Sequence, residues 1–349
     1  MLVARRTAIS AAPLLSSRPP LCHWARKLHM VFGAALEPHP AKAKTGGEDA
    51  FFADDATSSF GIADGVGGSK RGGADPGIFS RRLLRYFSEH LQQQNATLRG
   101  AVTAAATGFA AETIGGSSTF IIGQLENESG AMRWLNLGDS GAVLFRPSRR
   151  KFDAGTFLWP RVVMRSVEVH KRLICTNSRL EPALPALLLL IMDPVTFDSR
   201  EQQIHYFNCP FQVAAEEFYE AAGEADDLQT TARHGDILVA ASDGVLDNLF
   251  EAHVQSIVAQ GLVSGLLSAD ALTAQRAADE CAQKIATEAQ TVGLREDDES
   301  IRTPFQVAAA QEGYKFAGGK LDDVAVVVGI VRNNEGERPP PRQLHNFVD

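Results

Sequence analysis

Cysteine is scarce in this chain of 349 residues, and its placement follows no pattern. The four cysteines lie far apart, so no two of them form the CxxC pair that is typical of zinc sites and redox motifs. A disulfide scaffold is excluded as well, because such scaffolds use closely and regularly spaced cysteines in a short chain. We therefore predict reduced thiols with structural roles at Cys22, Cys175, Cys209 and Cys281.

Long hydrophobic runs are also missing. The most apolar stretch, residues 183–192, is ten residues long and contains Pro185, whereas a membrane-spanning helix needs about 20 apolar residues. The overall composition, with 44% hydrophobic and 22% charged residues, is that of a folded globular protein. The sequence therefore predicts a globular chain without a transmembrane segment.

Positive charge is in deficit over the whole chain, whose net charge is −8, yet it is concentrated near the N-terminus. The deficit excludes nucleic acid as a main partner, because the overall charge would not hold a phosphate backbone. Residues 1–36 contain five arginines and lysines and no acidic residue. That composition is typical of an organelle transit peptide, which we predict over residues 1–30; a non-targeting extension is the alternative.

Hydrophobic patterning predicts strands and helices in separate blocks. Alternating or continuous apolar runs predict strands at 51–54, 59–63, 118–123, 132–137, 141–146, 237–241 and 324–331. Helical spacing predicts helices at 78–94, 98–113, 251–260 and 271–290. Because the two kinds of element are segregated, stacked sheets flanked by helices are favoured over a regular βαβ repeat.

Four short acidic motifs lie close to the ends of predicted strands. They are GEDA at 47–50, ADGVGG at 63–68, SDG at 242–244 and KLDD at 320–323. Any one of them is explained as a turn, because aspartate and glycine both favour turn geometry. Together, on strands that share one sheet edge, they predict a carboxylate cluster, which is costly to bury without cations. Oxygen ligands without paired histidine or cysteine favour Mg²⁺ or Mn²⁺ over zinc.

Six successive motifs resemble those of the metal-dependent type 2C (PPM) protein phosphatases. They are GGEDAFF at 46–52, FGIADGVGG at 60–68, GGSSTF at 115–120, LNLGDSGAVLFR at 135–146, GDILVAASDGVLDNLF at 235–250 and GGKLDDVAVVV at 318–328. The segment EQQIHYFNCPFQ at 201–212 is most similar to the mitochondrial PTC-type branch of that family. The resemblance implies an α+β fold, namely a four-layer α-β-β-α sandwich of two antiparallel sheets flanked by helices. It also implies a mitochondrial matrix location, with the chloroplast as the alternative.

The family pattern implies a role for each matching residue. Asp64 would bridge two Mg²⁺ or Mn²⁺ ions, and Gly65 would offer its backbone carbonyl to one of them. Asp243 and Asp322 would hold the other ion, and Asp49 would act largely through metal-bound water. Asp64, Asp243 and Asp322 are thus the implied catalytic residues. The implied reaction is direct hydrolysis of phosphoserine and phosphothreonine in protein substrates by a water that the two metals activate.

Two positions depart from the family pattern or allow two interpretations. Many relatives use an arginine to grip the substrate phosphate, and the matching residue here is Lys44, which would act as a point charge. Asp139, in the sequence Gly-Asp-Ser-Gly at 138–141, is either a further carboxylate of the metal site or part of a tight turn. We favour the turn.

The resemblance implies one phosphatase-type domain over residues 31–333. The composition of residues 334–349, which is rich in proline, arginine and asparagine, predicts a disordered tail. Within that domain, residues 147–200 are atypical, because they are interrupted by prolines and carry more basic than acidic residues. This segment is either a genuine insertion that forms a basic flap, or an artefact of gene prediction.

Two other functions fit the same sequence. A catalytically weak or dead relative would act as a binding module and would be expected to lack metal ligands, whereas Asp64, Asp243 and Asp322 are all present. A hydrolase of a small phosphoester metabolite would use the same site. The sequence does not separate this second alternative from a phosphatase of phosphorylated proteins.

Overall fold

The computed structural model describes residues 27–70, 74–152, 155–165, 203–333 and 340–347. The predicted transit peptide, apart from its last residues, and most of the atypical segment lie outside these ranges. Among the helices that are described, none is both long enough and apolar enough to cross a membrane.

Two antiparallel sheets form the centre of the molecule. The first sheet contains, in spatial order, β1 (Leu28–Glu37), β14 (Val324–Asn333), β13 (Ile237–Ala241), β7 (Gly141–Phe152) and β8 (Gly155–Arg165). The second contains β12 (Asp226–Thr231), β6 (Ala131–Leu137), β5 (Phe120–Leu125), β3 (Ser59–Asp64), β2 (Asp49–Asp54) and β15 (Gln343–His345). Two short pairs join β4 (Ser117–Ser118) to β11 (Val213–Ala214) and β9 (Ile204–Tyr206) to β10 (Cys209–Pro210).

Helices cover the outer face of each sheet. They are α1 (Pro76–Leu91), α2 (Leu98–Ala110), α3 (Phe218–Gly223), α4 (Asp243–Leu246), α5 (Glu251–Ser264), α6 (Ala271–Gly293) and α7 (Pro304–Gln311). Two of the three hydrophobic clusters lie between a sheet and its helices: α1 and α2 pack on the second sheet, and α5 and α6 on the first. The third cluster fills the space between the sheets. The predicted four-layer sandwich is therefore confirmed.

Strand β14 shows how the sequence forms this layered core. Val324, Val326 and Val328 pack in the cluster under α5 and α6, whereas Ala325 and Val327 pack between the two sheets. Successive side chains of a strand point to opposite faces, so a continuous apolar run is what a strand covered on both sides requires. The predicted central strands at 237–241 and 324–331 are confirmed by β13 and β14.

The helices begin where short polar residues cap them. The Asp75 side chain accepts hydrogen bonds from the backbone of Gly77 and Ile78, and Pro76 supplies the first helical residue of α1. The Asp270 side chain caps α6 in the same way through the backbone N–H of Thr273. All four predicted helices are found, with ends that differ by a few residues.

The N-terminal boundary of the domain differs from the prediction. Strand β1 is not predicted by the sequence, and it starts at Leu28, within the segment assigned to the transit peptide. It pairs along its whole length with β14, from Leu28 opposite Asn333 to Glu37 opposite Val324. The folded domain therefore begins earlier than the predicted start at residue 31.

The predicted disorder of residues 334–349 is wrong for residues 340–347. Strand β15 pairs with β2, with Leu344 opposite Ala53. The Arg342 guanidinium forms an ion pair of 2.8 Å with Asp279 on α6 and donates a hydrogen bond to the carbonyl of Phe32. The backbone pairing of β15 and the contacts of Arg342 order this segment, although its polar composition predicts disorder.

Part of the atypical segment also belongs to the sheet. Residues 147–152 continue β7, and residues 155–165 form β8, which pairs with β7 as an edge strand of the first sheet. Two side-chain contacts join this hairpin to α5: Arg165 forms a 2.6 Å ion pair with Glu251, and Gln255 donates to the carbonyl of Pro160. The remainder, residues 166–200, lies outside the described ranges.

Candidate metal centre

Both sheets end in aspartates at one end of the sandwich. Asp49 begins β2 and lies opposite Asp64, the last residue of β3. Asp139 lies in the turn between β6 and β7, and Asp243 begins α4 directly after β13. Asp322 lies just before β14. The antiparallel pairing of these strands brings together residues that are far apart along the chain.

Three of these carboxylates form a tight group. Asp64, Asp139 and Asp243 each offer an oxygen, and these oxygens all lie within 4.8 Å of one another. The favoured interpretation of Asp139 as part of a turn is therefore incomplete. The turn exists, with Gly138 at a φ of 98°, and it also directs the Asp139 carboxylate toward the other two. Asp322 is outside this group and lies nearer to the lysines described below.

Several oxygens of the site are buried without a hydrogen-bond partner among the described residues. They are both carboxylate oxygens of Asp49, Oδ1 of Asp139 and Oδ1 of Asp243. Asp49 is only 1% exposed, so bulk water does not reach these oxygens. Unpaired buried carboxylate oxygens are unfavourable, and a divalent cation is the partner that satisfies several of them at once. The residues present therefore fit a site for hard divalent cations.

Burial and mutual repulsion raise the pKa of Asp49, Asp64 and Asp139. Burial raises the pKa of Asp49 and that of Asp64 well above the usual range, and neighbouring carboxylates raise both further. Burial also raises the pKa of Asp139 to about 8, and the charge of Asp243 adds to the effect. In the absence of a cation each carboxylate thus opposes the ionisation of the others.

Lys320 provides a positive charge beside this group. Its Nζ lies 2.6 Å from Oδ2 of Asp243, 2.6 Å from Oδ2 of Asp247 and 3.6 Å from Oδ2 of Asp322. Burial works against ionisation of Asp243, but the charge and hydrogen bond of Lys320 outweigh it and lower the pKa of that carboxyl. Lys320 and Asp247 both lie within motifs quoted above, at 320–323 and 235–250, but neither is predicted as a site residue.

Asp322 and Asp323 have different surroundings. Asp323 is 2% exposed and accepts hydrogen bonds from the backbone N–H groups of His39 and Glu48 and from Nζ of Lys42. Its carboxylate thereby ties the N-terminal segment to the start of β14. Asp322 has no such set of backbone donors and faces the lysines, which is compatible with the implied choice of Asp322 over Asp323 as a metal ligand.

The predicted phosphate-binding residue, Lys44, lies exposed on a short 3-10 helix formed by residues 40–45. Lys42, on the same helix, is the residue that extends into the site. Its Nζ lies 2.7 Å from Oε2 of Glu48 and 3.7 Å from Oδ1 of Asp322. Because Lys42 is engaged with carboxylates, its pKa is raised despite partial burial.

Gly65 is required by close packing of the backbone. A Cβ at this position would lie 2.6 Å from the carbonyl oxygen of Pro76 and 2.8 Å from that of Glu48. The backbone N–H of Gly65 donates to the Glu48 carbonyl over 3.2 Å. The absence of a side chain therefore lets the start of α1 and the Asp49 segment approach the end of β3, next to Asp64.

Comparison with known proteins finds protein phosphatases among the proteins that are similar to this chain. The chain is 28% identical over 310 residues to "Probable protein phosphatase 2C 80" of Arabidopsis thaliana, covering 88% of this chain and 60% of that protein. It is 29% identical over 336 residues to "Probable protein phosphatase 2C 55" of the same species, covering 95% and 56%. It thus spans little more than half the length of these two relatives. No family model matches the chain.

A solved structure is similar over nearly its whole length. The "photosystem II phosphatase PBCP" superposes with a TM-score of 0.61 and 25% identity, covering 86% of this chain and 98% of that one. These comparisons support the chain's place in the PP2C (PPM) phosphatase family. The mitochondrial branch of that family is not confirmed by them.

Proposed function

We propose that this protein is a metal-dependent phosphatase of phosphoserine and phosphothreonine in proteins. One observation carries the proposal: buried aspartates from both sheets converge at the end of a PP2C-type sandwich, and their oxygens lack hydrogen-bond partners within the described chain. The names of the relatives, which are protein phosphatases, support phosphorylated proteins as substrates.

The proposed ligands come from the five aspartates at the sheet ends. Asp64, Asp139 and Asp243 would hold divalent cations directly, and Asp49 and Asp322 would complete the site at its sides. We propose Mg²⁺ or Mn²⁺, two ions in all, with the backbone carbonyl of Gly65 as a further ligand. When bound, such ions supply positive charge that polarises a phosphoryl group and activates water.

The fold holds the side chains of the proposed ligands in position. Oδ2 of Asp243 is engaged by Lys320, Oδ1 is buried without a hydrogen-bond partner among the described residues, and the Asp243 carboxylate belongs to the group formed with Asp64 and Asp139. Asp64 is held by the pairing of β3 with β2, and Asp139 by the turn at Gly138. Ligands fixed by strands before the reaction do not have to reorganise during it, which is the main source of electrostatic stabilisation in enzymes.

The test measures dephosphorylation of a phosphothreonine peptide by the full chain with Mn²⁺ and with EDTA. We expect activity with Mn²⁺ only. Asp64→Asn and Asp243→Asn should each lower kcat/KM at least about 100-fold, since even outer partners of metal ligands contribute roughly 10- to 100-fold. Asp227→Asn, which changes an exposed aspartate on β12, is the matched control.

Four results would contradict the proposal. Activity that survives EDTA, or that survives both aspartate substitutions, would show that the carboxylate group is not the reacting site. Turnover of para-nitrophenyl phosphate without turnover of any phosphopeptide would instead assign the chain to small phosphoesters. Mn²⁺ binding without turnover of either substrate would assign it to the binding modules.

We also propose import into the mitochondrial matrix, with the chloroplast as the alternative. The support is the acid-free, arginine-bearing composition of residues 1–36 and the similarity of residues 201–212 to the mitochondrial branch. Residues 1–30 fused to a fluorescent protein should accumulate in mitochondria. A matched fusion with glutamine in place of the basic residues should stay in the cytosol, and equal distribution of the two would contradict the proposal.

A further inference from the structure

Both the side chain and the backbone of Lys320 are held by neighbouring residues of the acidic site. The side chain is 17% exposed, and its Nζ lies between Oδ2 of Asp243 and Oδ2 of Asp247, 2.6 Å from each. The ammonium group also lies 5.2 Å from the centre of the Phe305 ring, on α7. It is thus held at a single place by two carboxylates and an aromatic face.

The backbone of Lys320 is fixed by one buried asparagine. The Asn248 side chain, 4% exposed, accepts a hydrogen bond of 2.9 Å from the N–H of Lys320 and donates one of 2.7 Å to its carbonyl. The same side-chain amide donates to the carbonyl of Gly244 over 2.9 Å. Asn248 therefore links the segment that carries Lys320 to the helix that begins with Asp243.

The lysine occupies only one side of Asp243. Oδ2 of Asp243 binds Lys320, while Oδ1 is buried and has no hydrogen-bond partner in the described part of the chain. The Asp243 carboxylate also groups with those of Asp64 and Asp139. The ion pair with one oxygen restricts the rotation of the carboxylate and leaves the other oxygen available to a cation. The positive charge also offsets the repulsion among the acids, and the same charge opposes the arrival of a divalent cation.

We propose that Lys320 is a positioning residue that acts as a resident cation: it holds Asp243 and Asp322 in place when no metal is bound, and it limits how tightly the site binds divalent metal. This proposal rests on the proposed function, because it concerns the same metal site. Loss of the lysine charge should make the metal-free protein less stable and its metal affinity higher. A lysine that only packs the core would lower stability equally with and without metal.

The experiment compares wild type with Lys320→Met and Lys320→Gln in the full chain. Isothermal titration with Mn²⁺ gives the dissociation constant, and thermal unfolding is followed in EDTA and in saturating Mn²⁺. We expect both variants to bind Mn²⁺ at least about threefold more tightly than wild type, from the Coulomb term alone. We also expect a lower Tm in EDTA and a Tm close to wild type in Mn²⁺. Lys315→Met, which removes an exposed charge from the preceding segment, should leave all three quantities unchanged.

Each outcome of this experiment supports or overturns either the proposed role of Lys320 or the proposed function. Equal or weaker Mn²⁺ binding by both variants, in a wild type that binds Mn²⁺ and dephosphorylates the peptide, overturns the role of Lys320 and leaves the proposed function standing. A Tm that falls equally in EDTA and in Mn²⁺ also overturns it. Absence of Mn²⁺ binding by wild type overturns the proposed function itself. A variant that is unfolded in EDTA and regains the wild-type Tm with Mn²⁺ supports the resident cation.

Discussion

Strand β13 has a buried aspartate at each end, and the two are treated differently. Asp236, before the strand, is fully buried, and both of its oxygens are paired: Arg146 contributes Nε at 2.7 Å to Oδ1 and a guanidinium N–H at 2.6 Å to Oδ2. The backbone of Arg233 donates to Oδ2 as well, over 2.8 Å. Asp243, after the strand, has one oxygen paired with Lys320, and its other oxygen has no partner among the residues that the structure describes.

The different partners of Asp236 and Asp243 indicate different roles for the two aspartates at the ends of β13. A buried carboxylate whose lone pairs are satisfied by a bidentate arginine has nothing left to bind, so its effect is confined to stability. A buried carboxylate with an unsatisfied oxygen carries an unfavourable interaction that the fold retains only where something else binds. Charge and burial alone do not distinguish Asp236 from Asp243; the complete list of their partners does.

The largest expected effect comes from exchanging the two aspartates for asparagine one at a time. Asp236→Asn leaves Arg146 without its charge partner, and we expect a loss of about 3 kcal/mol in the free energy of unfolding, measured in urea. Mn²⁺ affinity of the folded protein should not change. Asp243→Asn should show the reverse, with Mn²⁺ affinity reduced at least about tenfold and a smaller change in stability than Asp236→Asn. Equal stability losses would remove the distinction.

A smaller effect is expected from the backbone at the Asp243 end. A Cβ on Gly244 would overlap the carbonyl oxygen of Asp323, so Gly244→Ala must push α4 away from the segment before β14. We expect a loss of about 1–3 kcal/mol, as for other overpacked sites, together with weaker Mn²⁺ binding. Gly223→Ala, where a Cβ meets open space at the end of α3, is the control. Unchanged Mn²⁺ binding by Gly244→Ala would show that the site tolerates a shift of this helix.

The smallest effect is expected where an arginine pairs nearer to solvent. The Arg342 side chain is 28% exposed and binds Asp279, which is 42% exposed. Arg342→Ala should therefore lower stability by only about 1 kcal/mol, because exposed pairs are screened. Denaturant unfolding beside Arg276→Ala, an exposed arginine of α6, measures the difference. A loss as large as that of Asp236→Asn would mean that burial does not set the strength of these pairs.

Much of the fold is predictable from local pattern, and the exceptions share a cause. Strands β13 and β14 are predicted from the sequence because each is a continuous apolar run. Strand β1 is missed because its residues follow an arginine-bearing, acid-free segment, and its strand character depends on a partner almost three hundred residues away in β14. Composition describes a segment, whereas pairing depends on what the rest of the chain brings to it.

The sequence predicts those site residues that match ligands in the family motifs, and it misses the others. Asp64 and Asp243 are placed together as the family resemblance implies. Asp139 is underrated because the same residues that make a tight turn also present a carboxylate, and only the distances between strands separate the two roles. Lys320 lies within the KLDD motif and Lys42 lies outside every motif, but neither is predicted to reach the site, because a lysine that enters a buried site looks like any surface lysine until its neighbours are known.

The pairing of β1 with β14 has a consequence for synthesis of the protein. The strand nearest the N-terminus remains unpaired until the last long strand has left the ribosome, since each residue of β1 has its partner in β14. Asp322 directly precedes that strand, so the carboxylates meet only when translation of the domain is nearly complete. A nascent or prematurely terminated chain thus exposes a hydrophobic strand edge and lacks the assembled carboxylate group, so we expect it to be prone to aggregation until β14 is made.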